Sequence, residues 1–265
     1  MYEKQLAALG RLLEVMDRLR EECPWDREQT FQSLRNNTIE ETFELTDAIT
    51  DGDMDGIREE LGDLLLHIVF YSRMGAEQGR FDIGDVANGL CDKLIYRHPH
   101  VYGNVEADSA GEVIHNWEEL KLAEKRKKDR KASRGVLSGV PRSLPAMVKA
   151  FRISQKAAAA GFDWTSREDI WEKVKEETAE VEQEIASMNR DRMEEEIGDL
   201  FFALVNMSRL YGIDPENALE RSNKKFIRRF EHIEARAEEQ GKELTKMPAA
   251  EMELYWQEAK RKERE

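Results

Sequence analysis

The chain has few of the residues that interrupt helices or cross-link small folds, with 6 prolines and 2 cysteines in 265 residues. With so little proline, few positions force a helix to end. A content of 40% hydrophobic and 36% charged residues predicts charge-faced helices rather than sheet or disorder. Cys23 and Cys91 have no paired spacing, which is typical of a reducing compartment. We therefore expect a soluble, cytoplasmic, all-α protein.

The sequence also lacks a long apolar run and an excess of positive charge. Its most apolar stretch, Leu64 to Tyr71, contains His67 and is too short to cross a bilayer. The segment from Met1 to Leu19 mixes charged with apolar residues and predicts an amphipathic helix, not a signal peptide. A net charge of -14 argues against polymeric nucleic acid as a partner, because phosphate backbones are bound by clustered Lys and Arg. Neither a membrane nor nucleic acid is expected as a partner.

One pattern of acidic residues occurs twice in the chain. In each copy two acids three residues apart are followed by a second such pair, and the copies are offset by 136 residues. Neighbouring residues match as well, for example Gly62-Asp63-Leu64 with Gly198-Asp199-Leu200, which indicates a duplication. We call the copies the first acid quartet (Glu41, Glu44, Glu60 and Asp63) and the second acid quartet (Glu177, Glu180, Glu196 and Asp199).

The duplication predicts two helical-bundle domains, residues 1–127 and 146–265, joined by a basic linker at 128–145. In the first domain, a helix should end before Cys23 and a loop with an aromatic tip should follow. The remaining helices are predicted at Ser33 to Ile49, from the Asp51–Gly56 turn to about Gln78, Ile83 to about Arg97, around Ile114 to Lys128, Ile170 to Met188, Met193 to Leu210, from Asp214-Pro215, and over a terminal segment with Trp256.

Each quartet brackets a turn, which places its two acid pairs on opposed helices. Gly52 lies eight residues from Glu44 and from Glu60, so an antiparallel hairpin brings the acids level. Residues three apart on a helix share a face. Apolar neighbours such as Phe43 and Leu61 indicate that the acids border a core, where carboxylates are costly unless they bind a cation. The pattern predicts a divalent-metal site in each half, for Mg2+ with Mn2+ as a possible substitute.

Two basic residues four apart follow each quartet on the next helix: Lys93 and Arg97 in the first half, Lys225 and Arg229 in the second. Taken alone, such pairs are most often surface charge or salt-bridge partners. Beside a metal site they indicate phosphate binding, because Arg forks onto phosphate oxygens and Lys adds a point charge.

Two tryptophans stand next to aspartates in segments predicted to be loops, Trp25 before Asp26 and Trp164 after Asp163. Tryptophans more often belong to a core than to a binding platform. In a loop, however, a flat ring beside a hydrogen-bond acceptor could hold a nucleobase.

With these residues assembled, the chain resembles the MazG family of nucleoside triphosphate pyrophosphohydrolases, within the all-α NTP pyrophosphatase superfamily. The resemblance covers nearly the whole chain except the linker, as two tandem MazG-like domains. It rests on the two quartets, Cys23-Pro-Trp-Asp26, Arg97-His-Pro-His-Val101, Gly161-Phe-Asp-Trp164, Lys225-Phe226 and Arg228-Arg229-Phe230.

The resemblance implies hydrolysis of NTPs and dNTPs to the monophosphate and pyrophosphate. It also implies that the second quartet (Glu177, Glu180, Glu196 and Asp199) ligates Mg2+, and that Lys225, Arg229, Arg192 and Trp256 contact the nucleotide. Lysine can stand at position 192 in the family, so Arg192 is a mild departure. Sites in this superfamily lie beside subunit interfaces, and we expect a homodimer.

The expected chemistry needs a base and stabilising cations. Glu41 or Glu177 could accept the proton of the attacking water, a choice that the sequence leaves open. Lys225 and Arg229 would stabilise charge on the phosphates. The second half has the fuller basic set, because Tyr96 and His98 of the first half replace its Arg228 and Phe230, so we expect it to be the more active.

Three other interpretations remain open. A di-iron carboxylate bundle needs two Glu-x-x-His units. Only Glu112 with His115 fits, and by the repeat the counterpart of His115 is Leu254. The acids could instead belong to a non-enzymatic interaction scaffold with structural cation sites. In a third version the first domain regulates and the second hydrolyses.

Overall fold

The protein is helical throughout the part of the chain that its structure, a computed structural model, describes: residues 2–106, 109, 111–113, 116–117, 120–121, 124 and 135–263. No strand occurs among those residues, which confirms the predicted all-α class. The chain divides into two compact units, Met1–Ala123 and Glu124–Glu265. Within the described residues, no helix combines the length and the apolar character needed to cross a membrane.

The first unit is built around a hairpin of two long helices that carry the first acid quartet. The helices are α1 (Glu3–Glu22), α2 (Pro24–Glu28), α3 (Arg35–Asp51), α4 (Met54–Glu77), α5 (Ile83–Arg97) and α6 (Pro99–Tyr102). Helix α4 packs against α1, α3 and α5. The C-terminal half of α4 contributes Val69, Phe70 and Met74 to a core that also contains Met16 of α1 and Leu34. Burial of these side chains fixes one end of the hairpin and leaves the quartet at the other end.

The second unit repeats the hairpin and adds a helix in front of it. A 3-10 turn (Val136–Gly139) precedes α7 (Ala146–Ala159), α8 (Arg167–Ser187), α9 (Arg190–Leu210), α10 (Pro215–Glu239), a second 3-10 turn (Leu244–Lys246) and α11 (Ala249–Lys262). Helices α8 and α9 form the hairpin with the second acid quartet, and α7 packs against α9 and α10. Between α10 and α11 lies a core of Ile233, Ala237 and Met247, with Trp256 packed against it.

The two hairpins reverse at the same position of the repeat by the same backbone conformation. Helix α3 ends at Gly52, which is left-handed with φ of 70°, and Asp53 caps α4 by accepting a hydrogen bond from the backbone N–H of Asp55. Helix α8 ends at Met188, also left-handed with φ of 56°, and Asn189 caps α9 through Arg192. Glycine adopts this conformation without strain, whereas methionine does not.

The predicted helix bounds agree with the structure to within a few residues in both hairpins. Helix α5 begins at Ile83 and ends at Arg97 as predicted, and a capping box at Asp82 explains its start. The predicted loop at Trp25 is wrong, because Pro24 opens the short helix α2. Proline fits the first turn of a helix, where its missing N–H costs nothing. Helix α7 was not predicted.

The predicted linker and the helix before it fall largely outside the described residues. Of residues 114–134, only 116–117, 120–121 and 124 are described. Residues 135–145 contain the first 3-10 turn, which packs against α7. The predicted domain boundaries at residues 127 and 146 therefore stay a prediction.

We predict that Met188→Gly stabilises the protein by about 1 kcal/mol, because it removes the strain of a left-handed non-glycine residue. Gly52→Met introduces that strain at the matching turn and should destabilise by a similar amount. Chemical denaturation of the two variants measures both effects. A Met188→Gly protein no more stable than the parent would contradict the assignment of strain to this turn.

Candidate metal centre

Three acids of each quartet converge between the two helices of their hairpin. In the first unit Glu41, Glu60 and Asp63 each offer a carboxylate oxygen within 4.8 Å of the others. The same arrangement recurs in the second unit for the matching residues Glu177, Glu196 and Asp199. Each set takes one acid from the first helix of the hairpin and two from the second, so the antiparallel turn brings them together.

The fourth member of each quartet lies one turn further along the first helix, in contact with its neighbour. The carboxylates of Glu44 and Glu41 lie close enough to affect one another, and so do those of Glu180 and Glu177. Glu44 and Glu180 are therefore placed to join the other three acids. The structure thus brings six of the eight residues predicted as metal ligands within reach of one another, three in each unit, with Glu44 and Glu180 beside them.

Crowding of the carboxylates raises the pKa of several members. Burial is the main cause of a raised pKa at Glu41, and the charges of Asp63 and Glu44 add to it. Glu60 has a raised pKa for the same reasons, with Glu44, Glu41 and Asp63 as its neighbours. In the second unit burial raises the pKa of Glu180, and so do the charges of Glu177 and Glu196. Neighbouring carboxylates resist ionising together unless a cation joins them.

Two carboxylate oxygens in these clusters are buried without a partner. Within the described part of the chain, neither Glu60 Oε2 nor Glu177 Oε2 has a hydrogen-bond partner. Only 5% of Glu177 is exposed. A buried carboxylate oxygen with no donor is costly, and a hard divalent cation is the ligand that carboxylate oxygens suit best. The residues present therefore fit Mg2+ or Mn2+ in both units.

A lysine side chain that the sequence analysis did not predict as part of the site lies at the second quartet. Lys173 Nζ is 2.7 Å from Glu177 Oε1 and 2.8 Å from Glu176 Oε1. Hydrogen bonds to Glu176 and Glu177 raise the pKa of Lys173. The spacing of four between Lys173 and Glu177 is the signal that could have found it, since such residues meet on one helix face.

The predicted phosphate-binding residues of the second unit gather around α11. Arg229 donates to Glu263 Oε2, with Nη2 at 2.6 Å and Nε at 2.9 Å, and its guanidinium lies over the Trp256 ring at 5.3 Å. Arg228 approaches the same carboxylate at 3.8 Å, and the charge of Lys225 also acts on it. The hydrogen bond from Arg229 is the main cause of a lowered pKa at Glu263. These residues form a basic group around one acid.

A related arrangement in the first unit uses Trp117. The Arg97 guanidinium lies over the Trp117 ring at 5.3 Å, as Arg229 lies over Trp256. Lys121 Nζ also lies over this ring, 4.8 Å from its centre, and Lys93 is exposed. Each half therefore sets the second basic residue of its pair on a tryptophan.

The remaining predicted contacts have other partners in the structure. Asp163 forms a bidentate salt bridge with Arg209, whose hydrogen bonds lower the pKa of Asp163 against the opposing effect of burial. That bridge ties the segment before Trp164 to α9. Trp25 is exposed on α2, and Arg192 Nη1 lies 3.6 Å from Glu184 Oε1 on the neighbouring helix.

The di-iron interpretation finds no support in either cluster, since each is composed of carboxylates alone. Of the pair that suggested it, Glu112 is described and His115 lies outside the described residues.

Comparison with known proteins relates the chain to one family over both units. The family profile described as the MazG nucleotide pyrophosphohydrolase domain matches residues 29–102 and again residues 165–234. The two matches contain the first and the second acid quartet, respectively.

Several curated proteins are similar over most of the chain. A nucleoside triphosphate pyrophosphohydrolase of Escherichia coli is 44% identical over 260 residues, which is 96% of this chain and 98% of that protein. A Thermotoga maritima protein named nucleoside triphosphate pyrophosphohydrolase/pyrophosphatase MazG is 41% identical over 251 residues, or 94% of each chain. The uncharacterized protein YabN of Bacillus subtilis is 44% identical over 243 residues, which is 91% of this chain and 49% of that protein.

We predict that Glu60→Gln makes the metal-free protein more stable at pH 7. The pKa of Glu60 is higher in the folded protein than in the unfolded chain, so its stabilising contribution is present below the ordinary carboxyl pKa and lost as pH rises through the raised pKa. Glutamine avoids that loss. Its advantage should therefore shrink as pH falls towards about 4, where Glu60 is protonated.

Thermal unfolding in excess chelator at several pH values measures the difference, with Glu59→Gln on the same helix as a control. Added Mg2+ should then stabilise the parent more than Glu60→Gln. An equal stability of parent and Glu60→Gln at pH 7 would show that the carboxylates do not repel one another as the geometry implies.

Proposed function

Because the chain belongs to the MazG family of nucleotide pyrophosphohydrolases, we propose that it hydrolyses nucleoside triphosphates, both NTPs and dNTPs, to the monophosphate and pyrophosphate with Mg2+. The observation that carries the proposal is the second acid quartet, in which Glu177, Glu196 and Asp199 offer oxygens within 4.8 Å of one another. The unpartnered buried oxygen of Glu177 supports a bound cation at this cluster.

Glu177, Glu180, Glu196 and Asp199 would hold the metal in the second unit. A bound Mg2+ would neutralise phosphate charge and lower the pKa of a bound water. Glu177 stands at the centre of this set, because it contacts Glu180 and belongs to the converging three. One carboxylate of the quartet accepts the proton of the attacking water, and Glu177 remains our candidate for that base.

The basic group on α10, with Trp256 of α11 beside it, would receive the triphosphate. Arg229 can fork onto two phosphate oxygens as it now forks onto Glu263. Lys225 is exposed beside it and adds positive charge. Trp256, already in contact with Arg229 and Phe226, offers an aromatic surface to the base or sugar. Glu263 occupies in the structure the place that a phosphate group would take on Arg229.

The second unit carries more of the cations that triphosphate binding requires. Positions that hold Lys173, Arg192 and Arg228 in the second unit correspond to Asn37, Gly56 and Tyr96 in the first. Each change removes one positive charge, and Lys173 is the one that contacts an acid of the quartet. We infer that the second unit is the main hydrolytic unit and that the first retains a metal site with weaker nucleotide binding.

We further propose that the active form is a homodimer. Large apolar side chains on the helices that carry the site are exposed, among them Phe201 at 57%, Phe226 at 57% and Ile227 at 53%. Exposed apolar residues of this size on neighbouring helices are typical of an interaction surface. A second copy of the chain would cover them, and a monomeric mass in solution at micromolar concentration would contradict this.

We predict that Glu177→Ala lowers the rate of pyrophosphate release by about a hundredfold or more, because it removes a central ligand of the cation. Glu41→Ala should reduce the rate less, since the first unit has fewer cations for the triphosphate. The measurement is pyrophosphate release with Mg2+ from canonical, damaged and signalling nucleotides by the intact protein. Release from none of them would refute the proposed function, and equal losses from the two variants would overturn the ranking of the units.

We predict that Glu263→Gln lowers KM for the nucleotide roughly twofold to fivefold and leaves kcat unchanged. The substitution frees Arg229 from an exposed ion pair, and ion pairs of this kind are weak. Glu258→Gln is the control, because Glu258 lies on the same helix and pairs with Arg236 and Lys262 instead. An unchanged or higher KM for Glu263→Gln would show that this carboxylate does not compete with phosphate.

A further inference from the structure

The two quartets differ in one charge that touches a predicted metal ligand. In the second unit Lys173 lies one turn before Glu177 on α8, and its ammonium contacts both Glu177 and Glu176 at under 3 Å. The Lys173 side chain is 32% exposed and that of Glu177 is 7% exposed, so solvent screens this pair only in part. The corresponding residue of the first unit is the uncharged Asn37.

We propose that Lys173 is an internal counter-ion that competes with the divalent cation at the second quartet, so that the first unit binds the cation more tightly than the second. The inference rests on the proposed function in taking both quartets as divalent-cation sites. It goes beyond that function because it assigns the two units different metal affinities and names the residue responsible.

Lys173 weakens cation binding whether its ammonium stays beside Glu177 or moves away when the cation binds. If the ammonium stays beside Glu177, it repels the incoming cation at close range. If it leaves, the Lys173–Glu177 ion pair is broken as the cation binds, and its energy is subtracted from the binding energy. Asn37 imposes neither cost on the first quartet. One unit charge at this distance, partly screened by water, corresponds to a difference of about tenfold in cation affinity.

Both quartets show an independent sign that a ligand belongs there. Glu177 is nineteen-twentieths buried with its Oε2 unpartnered, although Lys173 satisfies its Oε1. Lys173 therefore neutralises only part of the second site. In the first site Glu60 Oε2 is likewise unpartnered and inaccessible. A cation would relieve both sites, and among the described residues only the second site has a lysine that supplies part of this charge.

The consequence is a division of roles between two copies of one site. The first quartet would stay loaded at low cation concentration and act as a permanent part of its hairpin. The second would fill and empty over a higher range of concentration, while Lys173 keeps its hairpin from excessive repulsion when the cation is absent. Hydrolysis in the second unit would then depend on the supply of free divalent cation.

The test is a titration of the intact protein with Mn2+ alone, followed by electron paramagnetic resonance of the free ion. We expect two classes of site that differ by about tenfold in Kd. Glu60→Gln should remove or weaken the tighter class, and Glu196→Gln should do the same to the weaker class. These two variants assign each class to a unit, and their circular dichroism spectra verify that they fold.

Exchange of the two residues tests the cause. Lys173→Asn should tighten the weaker class about tenfold, and Asn37→Lys should weaken the tighter class by a similar factor. The double exchange, which leaves the net charge of the chain unchanged, should reverse the order of the two units. Matched controls are Lys175→Asn, an exposed lysine paired with Glu172 on the same helix, and Asn36→Lys beside position 37.

The outcomes separate the inference from the proposed function. Two classes that respond to the exchange and not to the controls support the counter-ion. The inference is overturned if Mn2+ binds at both quartets with affinities that the exchange does not change. It is also overturned if the tighter class belongs to the second unit of the parent protein. Either result leaves the proposed function standing. Absence of Mn2+ binding at both quartets overturns the inference and the proposed function together.

Discussion

The constraint on which each site depends is helix packing that holds carboxylate oxygens within 4.8 Å of one another against their mutual repulsion. The acids converge because apolar residues at the other end, such as Met16, Phe70 and Met74, fix how the helices pack. The fold therefore holds carboxylates in an unfavourable arrangement that a bound cation would relieve. Burial and neighbouring charges raise the pKa of Glu41, Glu60 and Glu180 for the same reason. In the function that we propose, these carboxylates would already be in place when the divalent ion binds.

The chain carries two such acid clusters, and they are not equal. Both hairpins reverse through a left-handed residue, which is Gly52 in the first and Met188 in the second. What differs is the positive charge carried by each unit, with Lys173, Arg192 and Arg228 in the second where the first has Asn37, Gly56 and Tyr96. A site that binds only a metal ion needs fewer positively charged side chains than a site that binds a metal ion together with a triphosphate. The division of roles that we propose follows from this difference.

The sequence predicted the helices well because their signals are local. Periodicity, Asp82 as a cap and the turn at Gly52 each act within a few residues, and the observed bounds agree with them. The prediction failed at Trp25, where Pro24 starts a helix instead of a loop, and at α7, which was not predicted. A short helix such as α2 has too few residues for a periodic pattern to show.

Sequence reasoning predicted the all-α class, the repeat and the eight acids, because spacing on a helix sets which side chains share a face. Lys173 beside Glu177 also follows from their spacing of four on one helix. The ion pairs between residues far apart in the sequence became clear only from the packing of the helices. Arg229 on Glu263 and Asp163 held by Arg209 are two pairs out of the many that a chain with 36% charged residues allows. Ion pairs between distant residues depend on how helices pack against one another, and that packing is set by burial of apolar surface, which has no direct record in the spacing of the charges.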